Sequence, residues 1–268
     1  MIICIIRGQK RTEMNKIIKI IFSDILKNKI VIAYTLMLAV LSWSSFALED
    51  NSAKGLLTIL NVILFTVPLV SVLFTTIYIY NSSEFIELLL SQPVKRKKIW
   101  TGLFTGLSLS LVIAFLLGSG IPLLIYSPDS LGLMMIVVGC LISVIFASLA
   151  FLSSILTRDK AKGIGISIMI WLYFALIFDG IVLFLLFQLS DYPIENAMVG
   201  ITALSPIDLA RIQLLLHLDV SAMMGYTGAI FRNTFGTTLG LVVSFVLLCV
   251  WFIVPFWISL KKFGKKDL

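Results

Sequence analysis

Long apolar runs that are almost free of charged residues constrain the fold of this chain more than any other feature. The chain has 268 residues, of which 59% are hydrophobic and 13% are charged. Soluble domains bury less apolar surface, and uncharged apolar runs of about 20 residues are typical of membrane-spanning helices. Six runs are long enough, at approximately 30–48, 56–80, 100–126, 131–156, 164–188 and 237–260. The sequence therefore predicts an all-α polytopic membrane protein, in which residues 14–268 form a single domain with six transmembrane helices.

The distribution of lysine and arginine predicts the orientation of these six spans. Most of the 21 basic residues fall into four groups on one side of the membrane, at 1–29, 95–98, 158–162 and 261–266. Three fall on the other side, namely Lys54, Arg211 and Arg232. Because loops rich in lysine and arginine stay in the cytoplasm, both termini are expected there. The same clustering accounts for the net charge of +7, so we predict contact with membrane lipid and no nucleic-acid partner.

The segment before the first span has two parts. Residues 1–13 do not resemble a signal peptide, since the apolar part Met1–Ile6 is short and no cleavage site follows. We predict that 1–13 is a non-native or over-annotated start outside the domain. Residues Met14–Lys29 carry an apolar face at helical spacing, which predicts an amphipathic helix in the membrane interface. That face consists of Ile17, Ile18, Ile21, Phe22, Ile25 and Leu26.

The stretch Asn81–Ile99, between spans two and three, is too polar to enter a bilayer and too apolar for a solvated loop. Its first three residues can cap a helix, and Glu84 then places an acid in the first turn, where the helix dipole favours it. Pro93 disfavours helix at the residue before it and ends the segment ahead of the basic run 95–98. The stretch therefore predicts a short helix outside the hydrocarbon region.

The side chains of this short helix predict two different faces. Phe85, Leu88 and Leu89 fall at i, i+3 and i+4 on one face, whereas Glu84 and Glu87 fall on another. We interpret the segment as a cytoplasmic helix whose apolar face binds a protein outside this chain. A helix that lies on the lipid surface is the alternative.

The longest predicted link, Leu189–Phe235, joins spans five and six. It contains a helix start in which Ser205 is the cap, Pro206 is in the first turn and Asp208 follows as an acid. This start predicts a helix over Ile207–Leu218, with a second short helix after it. Both are too short to span, so we predict that they dip into the outer leaflet and close the outer end of a pathway. An amphipathic loop packed on the ends of the spans is the alternative. The candidate gate or partner-docking residues are Ser205, Pro206, Asp208, Arg211, Asp219 and Tyr226.

One ionisable residue, Asp179, lies deep within a predicted span. An acid there costs at least about 2.5 kcal/mol on insertion scales, so it is expected to face the bundle interior or a cavity. Asp179 is a candidate for a substrate or proton pathway, or for a structural hydrogen bond to a neighbouring helix.

Sequence patterns of known catalytic and nucleotide sites are missing from the chain. It contains no G-x-x-x-x-G-K-[ST], H-E-x-x-H or G-x-S-x-G pattern, and no histidine and cysteine cluster at metal-ligand spacing. We therefore predict that this chain is not an enzyme, binds no cofactor of its own and has no metal site.

These features resemble the ABC-2 type permease family, which has six spans, a cytoplasmic helix between spans two and three and no nucleotide-binding motif. The family carries an ELLLS-x-P-V-x-R pattern, which Glu87–Ser91, Pro93, Val94 and Arg96 match. The resemblance implies that this segment is a coupling helix, which docks on a separate ATPase that holds ATP and Mg. The coupling-helix residues assigned on this basis are Glu84, Phe85, Glu87, Leu88, Leu89, Pro93 and Arg96.

A narrower resemblance lies in the link between spans five and six. Ser205–Asp208 (SPID) and Leu218–Gly236 (LDVSAMMGYTGAIFRNTFG) are similar to the permeases of the Nos transporters, which serve maturation of the copper sites of nitrous oxide reductase in denitrification. The resemblance implies two copies of this chain, two copies of a NosF-type ATPase, a NosD-type periplasmic protein and the bacterial cytoplasmic (inner) membrane. It also implies outward transport of a sulfur species or copper. The sequence departs from copper-transport patterns, since it has no CxxC pair and no Met-x-x-x-Met ladder.

Two other functions remain open at the level of sequence. One is an ABC-2 exporter of a different substrate, such as a drug, sodium or a polysaccharide. The other is a secondary transporter or intramembrane enzyme that needs no ATPase and relies on Asp179.

Overall fold

Helices make up all of the regular structure in the part of the chain that the computed structural model describes, which is residues 21–48, 52–91, 94–188, 200–217 and 238–265. Six of these helices are long and apolar enough to cross a membrane. The predicted all-α fold with six transmembrane helices is therefore confirmed.

The six spans agree with the predicted ranges to within five residues at either end. They are span 1, Lys29–Leu48; span 2, Ser52–Asn81; span 3, Arg96–Phe115 with Leu116–Gly120 and Ile121–Tyr126; span 4, Ser130–Leu156; span 5, Lys160–Leu172 with Tyr173–Ile177 and Phe178–Gln188; and span 6, Thr238–Lys265. The middle segments of spans 3 and 5 are single π-helical turns. Two further helices that lie wholly within the described residues are short, namely Ser83–Leu90 and Pro206–His217.

Polar side chains cap the beginnings of two spans. The Asn28 Oδ1 atom accepts a hydrogen bond from the Ile30 N–H at 2.9 Å, at the start of span 1. The Asp159 carboxylate accepts hydrogen bonds from the N–H groups of Ala161 and Lys162, at the start of span 5. Because the first N–H groups of a helix have no partner within it, such caps fix the helix start even where the neighbouring sequence is apolar.

Span 4 forms the centre of the bundle. It packs against spans 2, 3, 5 and 6 and against the 206–217 helix. In the apolar stretch of 18 residues within span 4, 67% of the residues are buried, compared with 17% in the corresponding stretches of spans 5 and 6. The apolar side chains that spans 5 and 6 leave exposed suit contact with lipid, where an exposed leucine or phenylalanine carries no hydrophobic cost. The bundle therefore has a well-packed centre and lightly held outer spans.

Span 3 approaches span 1 closely at its π-helical turn. A Cβ atom at Gly118 would lie 2.8 Å from the Leu38 Cβ atom and 2.9 Å from the Thr35 carbonyl oxygen. One residue later, the Ser119 hydroxyl accepts a hydrogen bond from the Ser42 hydroxyl at 2.9 Å. This close approach coincides with the π-helical turn Leu116–Gly120. Such turns often occur at positions with a specific structural or functional role.

The described part of the N-terminal helix contacts the bundle through its apolar face. Residues 21–26 are helical, and Ile21 and Ile25 are fully buried in the hydrophobic core. The Tyr78 hydroxyl donates a hydrogen bond to the Asp24 carboxylate at 3.1 Å. The face that the sequence assigned to the membrane interface is therefore covered by protein at these positions. Residues 1–20, including the predicted non-native start, lie outside the described residues.

The packing of Gly139 in span 4 gives a test of this bundle. A Cβ atom at Gly139 would overlap the ring of Phe115, which is fully buried. We expect Gly139→Ala to lower the thermal unfolding midpoint of the detergent-solubilised protein, because the ring has no free space to enter.

Gly165 provides the matched control for this substitution. A Cβ atom added at Gly165 would have no other atom within 4 Å. Gly165→Ala is expected to keep the midpoint or to raise it, since alanine is favoured over glycine within a helix by about 1 kcal/mol. Equal midpoints for the two variants would contradict the packing described for Gly139.

Candidate functional site

The helix Ser83–Leu90 lies where the sequence predicted a short helix between spans 2 and 3. Ser82 occupies the cap position, but its side chain makes no capping hydrogen bond to the helix. Glu84 lies in the first turn as predicted. The helix ends at Ser91, whose N–H bonds the Glu87 carbonyl and whose hydroxyl bonds the Leu88 carbonyl. Pro93 lies outside the described residues.

The face of this helix that packs against the bundle differs from the prediction. Ile86 and Leu89 are buried, and Phe85 packs partly against the same core. The sequence had placed Leu89 and Phe85 on the face offered to a partner, and for Leu89 this is wrong. Leu88 to Leu90 are three consecutive leucines, so the pattern alone does not reveal which one points inward.

The opposite face of the helix is exposed and carries two acids around one leucine. The Leu88 side chain is 66% exposed, and the neighbouring Glu84 and Glu87 are exposed as well. These three residues are spaced i, i+3 and i+4, which places them on one face. The surface available to another protein is therefore Leu88 flanked by two carboxylates.

A recess of about 380 Å³ lies between this helix and the neighbouring ends of spans 2, 3, 4 and 6. Its wall includes Tyr80, Trp100, Arg158 and Phe263. The rings of Trp100 and Phe263 stack with centroids 4.2 Å apart, which joins the start of span 3 to the end of span 6.

The basic groups at 95–98, 158–162 and 261–262 meet on this side of the molecule, which we call the basic end of the bundle. Lys97 at the start of span 3 lies against Gly264 at the end of span 6. Arg96, which the family pattern assigned to the coupling segment, is exposed here as the first residue of span 3.

Hydroxyl and amide groups join the basic end of span 2 to the beginning of span 5. The Tyr80 hydroxyl lies 2.5 Å from the Thr157 hydroxyl and donates to the Thr157 carbonyl at 3.2 Å. Lys160 donates to the Asn81 side-chain oxygen at 2.7 Å. The sequence analysis missed these contacts, because the residues are 77 and 79 positions apart and none belongs to a motif.

The helix Pro206–His217 begins as the sequence predicted, at the opposite end of the bundle. The Ser205 hydroxyl accepts the Asp208 N–H at 3.2 Å, and Pro206 is the first helical residue. Residues 205–210 are all buried, and the helix packs against spans 2, 4 and 6. It is therefore inserted between the spans, and the alternative of a loop resting on their ends is wrong for this part. Asp219 and Tyr226 lie outside the described residues.

One arginine brings together two acids that the sequence treated separately. An Arg211 guanidinium nitrogen lies 2.7 Å from an Asp179 carboxylate oxygen and 3.3 Å from an Asp208 carboxylate oxygen. Asp179 belongs to span 5, whereas Arg211 and Asp208 belong to the 206–217 helix. An ionised carboxylate within a membrane span is stabilised by such pairing. Of the two roles predicted for Asp179, the geometry favours the structural bond to a neighbouring helix.

Asp208 is the most buried residue of this cluster. Burial raises the pKa of the Asp208 carboxyl from 3.8 to about 7, and the nearby Asp179 carboxylate contributes in the same direction. The Ser205 hydroxyl and the Arg211 guanidinium act against this shift. The second carboxylate oxygen of Asp208 is buried without a hydrogen-bond partner among the described residues, so ionisation of Asp208 at neutral pH opposes folding.

The raised pKa of Asp208 predicts a pH-dependent stability. Because the folded chain holds this proton more tightly than the unfolded chain, the stabilisation is complete below about pH 4 and is lost as the pH rises through about 7. The Asp208→Asn variant lacks this titrating carboxyl group and therefore serves as the reference. We expect the thermal unfolding midpoint of the unaltered protein to fall by several degrees relative to this variant between pH 5 and pH 8, since one pKa unit is worth about 1.4 kcal/mol. Parallel midpoint curves across this range would contradict the assignment.

Comparison with known proteins agrees with this arrangement of spans and short helices. The chain is 27% identical over 252 residues to the probable ABC transporter permease protein NosY of Stutzerimonas stutzeri, covering 85% of this chain and 88% of that protein. It is 26% identical over 228 residues to the protein of the same name from Pseudomonas aeruginosa, covering 76% of this chain and 82% of that protein. The predicted resemblance to permeases of the Nos type is therefore confirmed. Residues 62–268 match the ABC-2 family transporter protein family. This match covers more than half of the chain, which therefore belongs to the ABC-2 family of transporter proteins, as a membrane-spanning permease subunit.

Proposed function

We propose that this permease couples ATP hydrolysis on a separate NosF-type ATPase to outward transport of a sulfur species or copper, for maturation of the copper sites of nitrous oxide reductase. Its family membership supports a permease that works with an ATPase, and its similarity to NosY over most of its length supports the Nos assignment. The observation that carries the coupling step is the exposed Leu88 between two carboxylates on the 83–90 helix.

The 83–90 helix suits a docking role because its two faces are so different. Ile86 and Leu89 bind it to the bundle, whereas Leu88 remains exposed on the side away from the bundle. A helix that inserts an apolar side chain into a groove of a partner is a recurrent mode of recognition. Glu84 and Glu87 then favour a groove with basic residues at its rim. ATP and Mg bind the ATPase, since this chain has no phosphate-binding sequence motif of its own.

The assembly that follows from the Nos assignment contains two copies of this permease, two NosF-type ATPases and a NosD-type periplasmic protein in the bacterial inner membrane. The basic end faces the cytoplasm, because the lysine and arginine groups lie there. The 206–217 helix then faces the periplasm and forms part of the outer gate. Asp179 has a structural role in this arrangement, since its carboxylate forms an ion pair with Arg211.

A substitution at Leu88 tests the docking surface. We expect Leu88→Asp to abolish copurification of the coexpressed ATPase, because it places a charge in the groove that receives the leucine. The thermal unfolding midpoint of the isolated permease is expected to stay unchanged, since this side chain is 66% exposed. Copurification from detergent extracts and thermal unfolding are the two measurements.

Two matched variants control this experiment. Leu88→Met keeps an apolar side chain of similar size and is expected to keep the ATPase bound. Leu89→Asp buries a charge against the bundle and is expected to lower the unfolding midpoint. Normal copurification with Leu88→Asp would refute the docking assignment.

A further inference from the structure

The 83–90 helix is continuous with span 2 in its hydrogen bonding. The Ser82 N–H bonds the Tyr78 carbonyl at 2.9 Å, and the Ile86 N–H bonds the Ser82 carbonyl at 2.9 Å. One turn residue, Ser82, separates the two helices. A displacement of the 83–90 helix therefore acts directly on the end of span 2. Span 3, in contrast, begins only at Arg96.

The end of span 2 is tied to span 5 by polar groups. The Thr76 and Ser167 hydroxyls lie 2.6 Å apart, and both residues are fully buried. Gly163 faces Tyr80 so closely that a Cβ atom there would overlap the tyrosine ring. Farther along the same pair of spans, the Trp171 indole N–H donates to the Phe65 carbonyl at 3.1 Å.

Span 5 otherwise buries little of its surface against the rest of this chain. In its apolar stretch of 18 residues, 17% of the residues are buried. Its principal packing neighbours in the described structure are span 2, span 4 and the 206–217 helix. Toward its other end, the Asp179 carboxylate pairs with Arg211 of the 206–217 helix at 2.7 Å. Polar contacts thus fasten span 5 to span 2 near one end and to the 206–217 helix near the other. The Ser167 hydroxyl also lies 3.4 Å from the Ser153 hydroxyl of span 4, a longer contact than the one to Thr76.

Polar contacts decide which helices move together in a membrane. Apolar contacts between helices are exchanged for lipid contacts at small cost, because lipid tails are as apolar as leucine. A buried hydroxyl or carboxylate finds no water to replace a lost partner in the hydrocarbon region. The Thr76–Ser167 contact and the Asp179–Arg211 ion pair are therefore the stronger constraints on span 5.

We propose that span 5 transmits the displacement of the 83–90 helix to the 206–217 helix, through the Thr76–Ser167 contact and the Asp179–Arg211 ion pair. This inference rests on the proposed function, since it needs an ATPase that moves the 83–90 helix. Thr76, Ser167, Asp179 and Arg211 are positioning residues in this scheme. None of them contacts ATP or has to contact the transported substrate.

The test uses the full permease–ATPase complex and a reporter cysteine. Leu204 is exposed beside the start of the 206–217 helix, so Leu204→Cys is introduced after the native cysteines Cys4, Cys140 and Cys249 are replaced by alanine. The rate of labelling by a membrane-impermeant maleimide is measured with and without a non-hydrolysable ATP analogue. We expect the analogue to change this rate by at least about fivefold, the lower range of typical coupling between distant sites.

The variants Thr76→Val and Asp179→Asn are expected to lose most of this nucleotide response while the ATPase still copurifies and hydrolyses ATP. Thr66→Val is the matched control, because it makes the same substitution in span 2 at a hydroxyl that bonds the Val62 carbonyl of its own helix. It is expected to keep the response. The charge exchange Asp179→Arg with Arg211→Asp is expected to restore a large part of the response that Asp179→Asn loses.

Every other outcome contradicts one specific step of the proposal. A full response in Thr76→Val and Asp179→Asn would show that span 5 does not transmit the displacement. A loss in Thr66→Val equal to that in Thr76→Val would show that the loss is unspecific, and would overturn it too. A parent complex that contains the ATPase but shows no response would overturn this inference while the docking assignment stands. Failure of the ATPase to copurify with the parent would instead refute the proposed function, and with it this inference.

Discussion

The absence of water from the hydrocarbon region is the constraint on which the rest of this structure depends. Every backbone N–H and C=O group there has to be satisfied within the chain, which leaves helices as the solution for apolar runs of this length. The hydroxyl side chains follow the same rule. Thr35, Thr66, Ser110 and Ser143 each donate to a carbonyl of their own helix. Polar contacts that instead cross between helices therefore constrain which helices move together.

The two short helices illustrate what changes when a segment leaves the spans. The 83–90 helix keeps Leu88 exposed between two carboxylates, an arrangement that suits contact with protein and water better than contact with lipid. The 206–217 helix does the reverse, since it carries Asp208 into a buried position between spans 2, 4 and 6 and leaves Arg211 half-buried beside it. Pairing with Asp179 reduces the cost of placing Arg211 there, whereas burial and the nearby Asp179 carboxylate raise the pKa of Asp208.

The sequence predicted the spans well because length and hydropathy determine them, and the start at Ser205 because its cap is local. It failed at Leu89, since a run of three leucines has no internal contrast from which to infer the buried face. It also held no sign that Asp179 and Arg211 meet, because they are 32 residues apart and belong to segments that were assigned different roles. The contact between Tyr80 and Thr157 was missed for the same reason. What depends on local spacing was predictable, whereas what depends on the packing of distant helices was not.

The division between a packed centre and lightly held outer spans has a mechanical consequence. Phe115, Phe146 and Phe151 are fully buried around span 4, and rearranging such closely packed rings would create cavities or overlaps that destabilise the bundle. A displacement that enters at the 83–90 helix is therefore not expected to pass through span 4 by rearranging this core. Span 5 has little surface buried within this chain to lose, so it is better able to shift while its hydroxyl and ionic contacts keep it attached at both ends. A span that buries little of its surface, such as span 5, is for this reason better suited to carry movement across the membrane than span 4, which buries the most.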